Sequence, residues 1–242
     1  MDFPDFSLAG RVALVTGASQ GIGRAAAIRM SREPDVSALV LIARNADGLK
    51  ETGAAMERVG KDVELIPYDL MDLDGIPALV ERIHGRHGSI DILLNIAGYA
   101  DPQSLLDTSS DNIVKTYTIN VFAMLLLIRE VTRHMYDRPA KILNVASTAG
   151  ITSRPGWLAY ASSKAAVVSM SATLADELAG SGIKVYSISP GRTATELRRK
   201  LAPEEDPSSI MQPGDVADVI AQLMSDAEKT LDGQNIVVRT RA

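Results

Sequence analysis

The chain has 242 residues, 46% of them hydrophobic, enough for one substantial core, and single α/β domains run to this length. Its net charge of −5 argues against a nucleic-acid partner, which needs a basic face. The absence of cysteine excludes a disulfide framework, thiolate chemistry and any cysteine metal site.

The opening segment MDFPDFSLAG carries Asp2 and Asp5 and no basic stretch, so it is not expected to be a signal peptide. Residues 12–15 (VALV) form a short apolar run, expected to be a buried strand. The run passes into Thr16-Gly17-Ala18-Ser19-Gln20-Gly21-Ile22-Gly23, and residues 24–32 are good helix formers. Strand, glycine-rich turn and helix is the context in which a glycine motif implies a phosphate site. The glycines permit tight turning, and the helix start offers unpaired N–H groups to a pyrophosphate. Gly17, Ser19, Gln20, Gly21, Ile22 and Gly23 are therefore candidate cofactor residues, in the spacing G-x-x-x-G-x-G. Residues 38–43 (ALVLIA) read as a second buried strand, ending at Arg44-Asn45. In dinucleotide folds this strand end meets the adenosine ribose, where an acid suits a 2′-hydroxyl and an arginine a 2′-phosphate. Ala43 and Arg44 stand there in place of an acid, which points to NADP(H) in preference to NAD(H), and Arg44 and Asn45 are candidate cofactor residues.

An amphipathic helix is expected over residues 46–60, ending at Gly60, and a third strand over 63–67. Asp69, with Leu70 beside it, stands at the carboxyl edge, placed to accept a bond from an adenine amino group or to cap a helix. A helix over 72–87 and a strand over 90–95 follow, and Asn95-Ile96-Ala97-Gly98 closes that strand with small residues suited to a cofactor passing close by. The histidines, His84, His87 and His134, read as surface or capping residues, so no metal site is expected. Strand and helix alternate without internal repeats, which calls for a doubly wound parallel sheet.

A long helix is expected from about 110 to 137, its apolar pattern (Tyr117, Ile119, Val121, Phe122) interrupted by Asn120. A buried asparagine needs partners, because leaving it unsatisfied costs about 1–3 kcal/mol. The longest apolar run, 121–128, stops at Arg129 and is too short to cross a bilayer. A soluble cytoplasmic protein is therefore expected. After the β-prone run 141–143, the chain turns polar at Ser147, with Tyr160 thirteen residues on and Lys164 four beyond that. A hydroxyl, a phenol and an ammonium brought together this way move a proton to or from a carbonyl oxygen. Residues 165–179 continue a helix of small side chains that suits a subunit interface. Residues 184–189 read as a strand broken by Pro190-Gly191, where open α/β sheets bind ligands. The polar segment 193–213, beginning with Thr193 and Thr195, suits a short mobile lid, with Arg198, Arg199 and Lys200 as a solvated helix face. A helix over 214–225, a strand over 235–239 and a short basic tail complete the chain.

Taken together these residues resemble the classical short-chain dehydrogenase/reductases over nearly the whole chain, in an NADP-preferring, carbonyl-reductase-like form. The family's glycine motif is matched by Thr16, Gly17, Gly21 and Gly23, its adenine-side acid by Asp69, and its Asn-Asn-Ala-Gly motif by Asn95-Ile96-Ala97-Gly98, with isoleucine in second place. Its catalytic asparagine is matched by Asn120, its serine by Ser147, its Tyr-x-x-x-Lys pair by Tyr160 and Lys164, and its Pro-Gly motif with downstream threonine by Pro190, Gly191 and Thr195. The resemblance implies one Rossmann domain over 1–242, with seven parallel strands in the order 3-2-1-4-5-6-7. It also implies a homodimer or homotetramer, here through the helices near 110–137 and 159–180. The lid is short for the family, and the C-terminus stops soon after the last strand.

In the mechanism this implies, Tyr160 exchanges a proton with the substrate oxygen while a nicotinamide exchanges hydride with the carbonyl carbon. A free tyrosine, with a pKa near 10, is a poor base at neutral pH. A cationic Lys164 about 4 Å away, at an effective dielectric near 20, would contribute roughly 4 kcal/mol, or about three pK units. Ser147 would hold the substrate oxygen, Asn120 would anchor a water linking Lys164 to solvent, and Lys164 would also hold the nicotinamide ribose. Tyr99, Arg154 and Trp157 are candidate pocket residues, and Arg192 is placed to meet an anionic group. The competing readings are a 3-oxoacyl-thioester reductase, a non-catalytic NADP-binding sensor or scaffold, and a sugar-nucleotide epimerase or dehydratase.

Overall fold

In the computed structural model, residues 10–56, 60–136 and 138–240 are described; the opening segment and the end of the basic tail lie outside them. Seven parallel strands form one sheet in the order β3-β2-β1-β4-β5-β6-β7, as expected. They are β1 (Arg11–Thr16), β2 (Val36–Ala43), β3 (Asp62–Pro67), β4 (Ile92–Asn95), β5 (Ala140–Val145), β6 (Ile183–Pro190) and β7 (Asn235–Val238). Because side chains alternate across a strand, each inner strand feeds two cores. In β1, Val12 and Leu14 join one buried cluster, while Ala13 and Val15 join the other.

On the first face lie α3 (Ile76–His87), α4 (Ser110–Tyr117), α5 (Ala123–Met135) and α6 (Leu158–Glu177). On the second lie α1 (Gly21–Met30), α2 (Ala46–Ala55) and α8 (Pro213–Met224), with the short α7 (Glu196–Leu201) between β6 and α8. The helical run Ser110–Met135 is long and apolar enough to cross a membrane. Its apolar stripe instead packs into the first core through Ala123, Met124, Leu127, Ile128 and Val131. At the far end of the sheet, two buried cations satisfy the carbonyls that end α8. Lys141 donates to Leu223 O at 3.0 Å, and Arg11 to Met224 O at 3.0 Å.

Four of the departures from the sequence pattern have a clear local reason. The second helix ends at Ala55, because Met56 turns extended and is buried against the second core; residues 57–59 of the expected helix lie outside the described residues. The third helix begins at Ile76 rather than 72. Asp69 and Asp72 spend their carboxylates on the backbone N–H groups of Met71 and Gly75, holding turns until Pro77 starts the helix. The fourth strand begins at Ile92, since Asp91 turns its side chain onto Val12 N at 2.9 Å and Ser89 Oγ at 2.7 Å. The long helix is not continuous α-helix: residues Thr118–Phe122 widen into one π-helical turn between α4 and α5.

The sheet reverses its winding between β1 and β4, which leaves a crevice at their carboxyl ends. Thr16 Oγ1 closes its floor by accepting from Ile96 N at 3.0 Å and Ala97 N at 3.1 Å. Gly17 lies at φ +71°, and a Cβ there would stand 2.8 Å from Ala97 Cα. Gly17→Ala should therefore cost about 2–4 kcal/mol through the left-handed backbone and the clash together. Urea denaturation of the purified variant measures this; an unchanged midpoint would show that the turn tolerates a side chain.

Candidate active site

The glycine turn meets the test for a phosphate cradle. A Cβ on Gly23 would lie 2.2 Å from Gly17 O, so the turn folds back on itself as only glycine allows. The first residue of α1, Gly21, has φ +54°, and the Gln20 side chain makes no capping bond to the helix start. There is no acidic side chain in the first turn of α1, so its N–H groups and positive end are left for an anion. Beside it, Asn95 donates to Asn144 Oδ1 at 2.9 Å, while its own buried Oδ1 has no partner.

A cavity of about 540 Å³ runs from this turn to the end of β5, within the range of cofactor sites. Gly17, Ser19, Gln20, Gly21, Ile22 and Gly23 line it at one end. Arg44, Asn45, Asp69 and Leu70 form its edge beyond β2 and β3, and Ala97, Gly98, Pro190, Gly191, Thr193 and Thr195 complete the cofactor side. Arg44 is exposed, with its guanidinium 4.0 Å from Asp69. Two expected contacts are already committed within the chain. Asn45 Oδ1 caps α2 by accepting from Gly48 N at 3.0 Å, and Thr195 Oγ1 caps α7 by accepting from Arg198 N at 3.1 Å.

Ser147, Tyr160 and Lys164 all line the other half of the cavity. Tyr160 and Lys164 lie one turn apart on α6 and so share a face. Ser147 caps the 3₁₀ turn Thr148–Gly150, its Oγ accepting from Ala149 N at 3.1 Å. A Cβ on Gly150 would come within 2.6 Å of the Lys164 carbonyl carbon, so this turn packs directly on the α6 backbone.

The electrostatics depart from the sequence expectation. Lys164 is buried, donates to Val145 O at 2.8 Å, and has its Nζ 6.0 Å from the centre of the Tyr160 ring. Desolvation pushes this ammonium down to about 8. Burial likewise pushes the Tyr160 phenol up, and only the Ser147 hydroxyl pulls it back. The expected three-unit fall caused by the lysine is thus absent. Both heads sit where the cost of charging exceeds what the pair recovers.

Asn120 occupies the centre of the π-turn and is fully buried. It clamps the Tyr99 backbone, accepting from Tyr99 N at 2.8 Å and donating to Tyr99 O at 2.9 Å, and it also donates to Ser163 Oγ at 3.0 Å. Ser163 in turn donates to Tyr160 O at 2.7 Å. The direct partners of Asn120 are therefore protein groups that brace Tyr99 and the start of α6.

Tyr99, Arg154, Trp157 and Arg192 all line the cavity as well. The Trp157 ring meets that of Tyr160 edge-on at 5.7 Å. Arg192 is not free for a ligand. It shares Glu205 with Arg198, at 3.0 Å and 2.6 Å, and the two guanidiniums hold that carboxyl below the usual range. The expected solvated face of α7 holds for Arg199 and Lys200, which are exposed, whereas Arg198 is half-buried; Leu197, Arg198, Lys200 and Leu201 also line the cavity, and Arg199 does not. Sequence reasoning missed Ile119, Thr148 and Leu197 as lining residues. Only the i, i+4 apolar pair Leu197 and Leu201 offered a signal. His87 is not a surface residue either, since its ring is shielded and lies 2.9 Å from Glu64.

A family model described as short chain dehydrogenase matches residues 11–206. The 3-oxoacyl-(acyl-carrier-protein) reductase FabG of Thermotoga maritima is 32% identical, covering 95% of this chain and 96% of its own length. Among solved structures, an actinorhodin polyketide ketoreductase with NADPH is 26% identical, with a TM-score of 0.87 over 96% of this chain and 97% of that one. An NAD+-bound xylitol dehydrogenase is 27% identical, with a TM-score of 0.84 over 97% of this chain and 99% of that one.

Lys164 has a folded value below its ordinary 10.5, so between about 8 and 10.5 the unfolded chain binds more protons than the folded one. Stability of the cofactor-free protein therefore rises with pH through that window. Lys164→Met should shrink the rise between about pH 8 and about pH 9.5 by about 1–2 kcal/mol. Urea denaturation at both pH values gives the figure, and an identical rise in wild type and variant would refute it.

Proposed function

The chain belongs to the short chain dehydrogenase family, and from that premise we propose that it is an NADP(H)-dependent carbonyl reductase working through Tyr160. The observation that carries this reading is the single cavity joining an uncapped helix start to Ser147, Tyr160 and Lys164. The glycine turn and α1 would hold the pyrophosphate, and Lys164 and the Asn95–Gly98 turn the nicotinamide half. When bound, the nicotinamide exchanges hydride with the substrate carbon.

The remaining steps belong to the chain's own groups. Ser147 Oγ donates a hydrogen bond to the substrate oxygen and orients it toward Tyr160. The Tyr160 phenol, held protonated by burial, gives its proton to that oxygen as negative charge develops there. Lys164, pushed down to about 8, is partly neutral just above physiological pH and can pass a proton toward the phenolate. Asn120 keeps Tyr99 and the start of α6 in register, so the phenol does not drift from its partner.

Arg44, exposed at the end of β2, supports a preference for a 2′-phosphate. The segment 193–213 would serve as the substrate lid. A homodimer or homotetramer is supported by the apolar side chains exposed along α4, the π-turn and α5, including Val114, Phe122 and Leu125. A soluble cytoplasmic setting is supported by the core packing of the long apolar helical run. A second reading, reduction of an oxoacyl thioester, is supported by the likeness to the Thermotoga maritima reductase.

Tyr160→Phe should lower turnover of carbonyl substrates at least about a hundredfold while NADPH affinity stays within about threefold. Stopped-flow fluorescence and steady-state assays measure the two quantities, and near-normal turnover would sink the mechanism. Arg44→Ala should raise the KM for NADPH about tenfold or more and leave NADH nearly unaffected. A variant that keeps its NADPH preference would remove the argument from Arg44.

A further inference from the structure

The protein is acidic, with a net charge of −5, yet its main cavity is not. Among the described residues the cavity walls carry six cations, Arg44, Arg154, Lys164, Arg192, Arg198 and Lys200, against one carboxylate, Asp69. Most of these cations already have a partner. Arg44 pairs loosely with Asp69 at 4.0 Å, Arg192 and Arg198 share Glu205, and Lys164 donates to Val145 O. Arg154 and Lys200 are different, for among the described residues neither has a carboxylate within ion-pair distance. Elsewhere the arginines of this chain are mostly matched: Arg24 with Glu51, Arg29 with Glu33 and Asp218, Arg138 with Asp91.

Placement adds to the contrast. Arg154 lies in the loop just before Trp157 and Tyr160, on the catalytic half of the cavity rather than beside the glycine turn. Lys200 lies on α7 between Leu197 and Leu201, which line the same cavity. Its neighbour Arg199 turns away toward the space behind the glycine turn and pairs with Glu196. Arg154 and Lys200 are both exposed to solvent, and cations of one sign lining a cleft draw in anions, the more so at low salt. The apolar walls around them, Trp157, Leu197 and Leu201, suit a short carbon skeleton.

We infer that the carbonyl substrate bears a carboxylate, held by Arg154 and Lys200 while its carbonyl oxygen meets Ser147 and Tyr160. This deepens the reductase reading and rests on it for the position of the carbonyl. The planar guanidinium of Arg154 matches a carboxylate in two parallel hydrogen bonds, and Lys200 supplies a second, mobile point charge. The two residues set which carbonyl compounds are accepted and take no part in proton transfer.

Trp157 is the only tryptophan in the chain and lines this cavity, so its fluorescence reports binding without turnover. The protein saturated with NADP+ would be titrated with pyruvate, acetoacetate and levulinate, each against its uncharged amide. At least one acid should bind about tenfold more tightly than its amide. Arg154→Ala and Lys200→Ala should each lower that preference about threefold or more, Arg154→Lys should restore part of it, and Lys229→Ala on the outer surface should not alter it. Added salt should weaken the acid and not the amide. Equal affinity for acids and amides, or a preference that survives both alanine variants, would overturn the inference. Tighter binding of dihydroxyacetone phosphate than of every acid would overturn the carboxylate in favour of a phosphate. Separate NADPH-oxidation assays on neutral diketones test the reductase reading itself. Turnover there without acid preference removes this inference alone. Acid preference without turnover of any carbonyl compound keeps the anion site and removes the reductase reading.

Discussion

The structure depends on the backbone contact between the turn after β1 and the turn after β4. A Cβ at Gly17 would press on Ala97, and one at Gly23 would press on Gly17 itself, so three chain segments converge with no side chain between them. Thr16 Oγ1 ties the contact down by accepting from two consecutive backbone N–H groups of the β4 turn. This closeness lets α1 start immediately at the floor of the crevice, with its free N–H groups facing the cavity. It also sets Asn95–Gly98 beside Asn120 and Lys164, since a Cβ on Gly98 would lie 3.5 Å from Lys164 Nζ and 3.6 Å from Asn120 Oδ1. The glycine turn and the Asn120, Tyr160 and Lys164 cluster are thereby parts of one packed unit.

Burial governs the chemistry of that unit. Lys164 and Tyr160 are both moved toward their uncharged forms, because the protein removes water faster than it supplies compensating charge. A protonated phenol suits proton donation, and a lysine near 8 can still carry or release a proton under physiological conditions. An anionic ligand brought beside Lys164 would favour its ammonium form and, through it, a phenolate.

Some of this was legible from residue order. Apolar runs of four to eight residues separated by helix formers fixed a parallel α/β sheet, because both faces of such strands are buried. Gly17, Gly21 and Gly23 carried their meaning because glycine alone fits there, and Tyr160 with Lys164 because four residues make one helical turn. The start of α3 was misread because Asp69 and Asp72 have helix-compatible spacing but spend their carboxylates on turn N–H groups. The break at Asn120 showed as a polar residue in an apolar stripe. That it becomes a π-turn clamping Tyr99 depends on contacts twenty-one residues away along the chain.

The sequence alone determined the sheet, its order through the family resemblance, and the glycine turn and the Tyr160–Lys164 pair as candidate site residues, since each rests on local spacing or on a residue type with few substitutes. Tertiary structure alone decided the direction in which burial moves the titrating groups, and which cations are paired. Whether Lys164 lowers the phenol or is itself lowered depends on how much water the fold excludes. Whether Arg192 or Arg198 is available to a ligand depends on where Glu205 lies, and that pairing has no periodicity for a sequence to display.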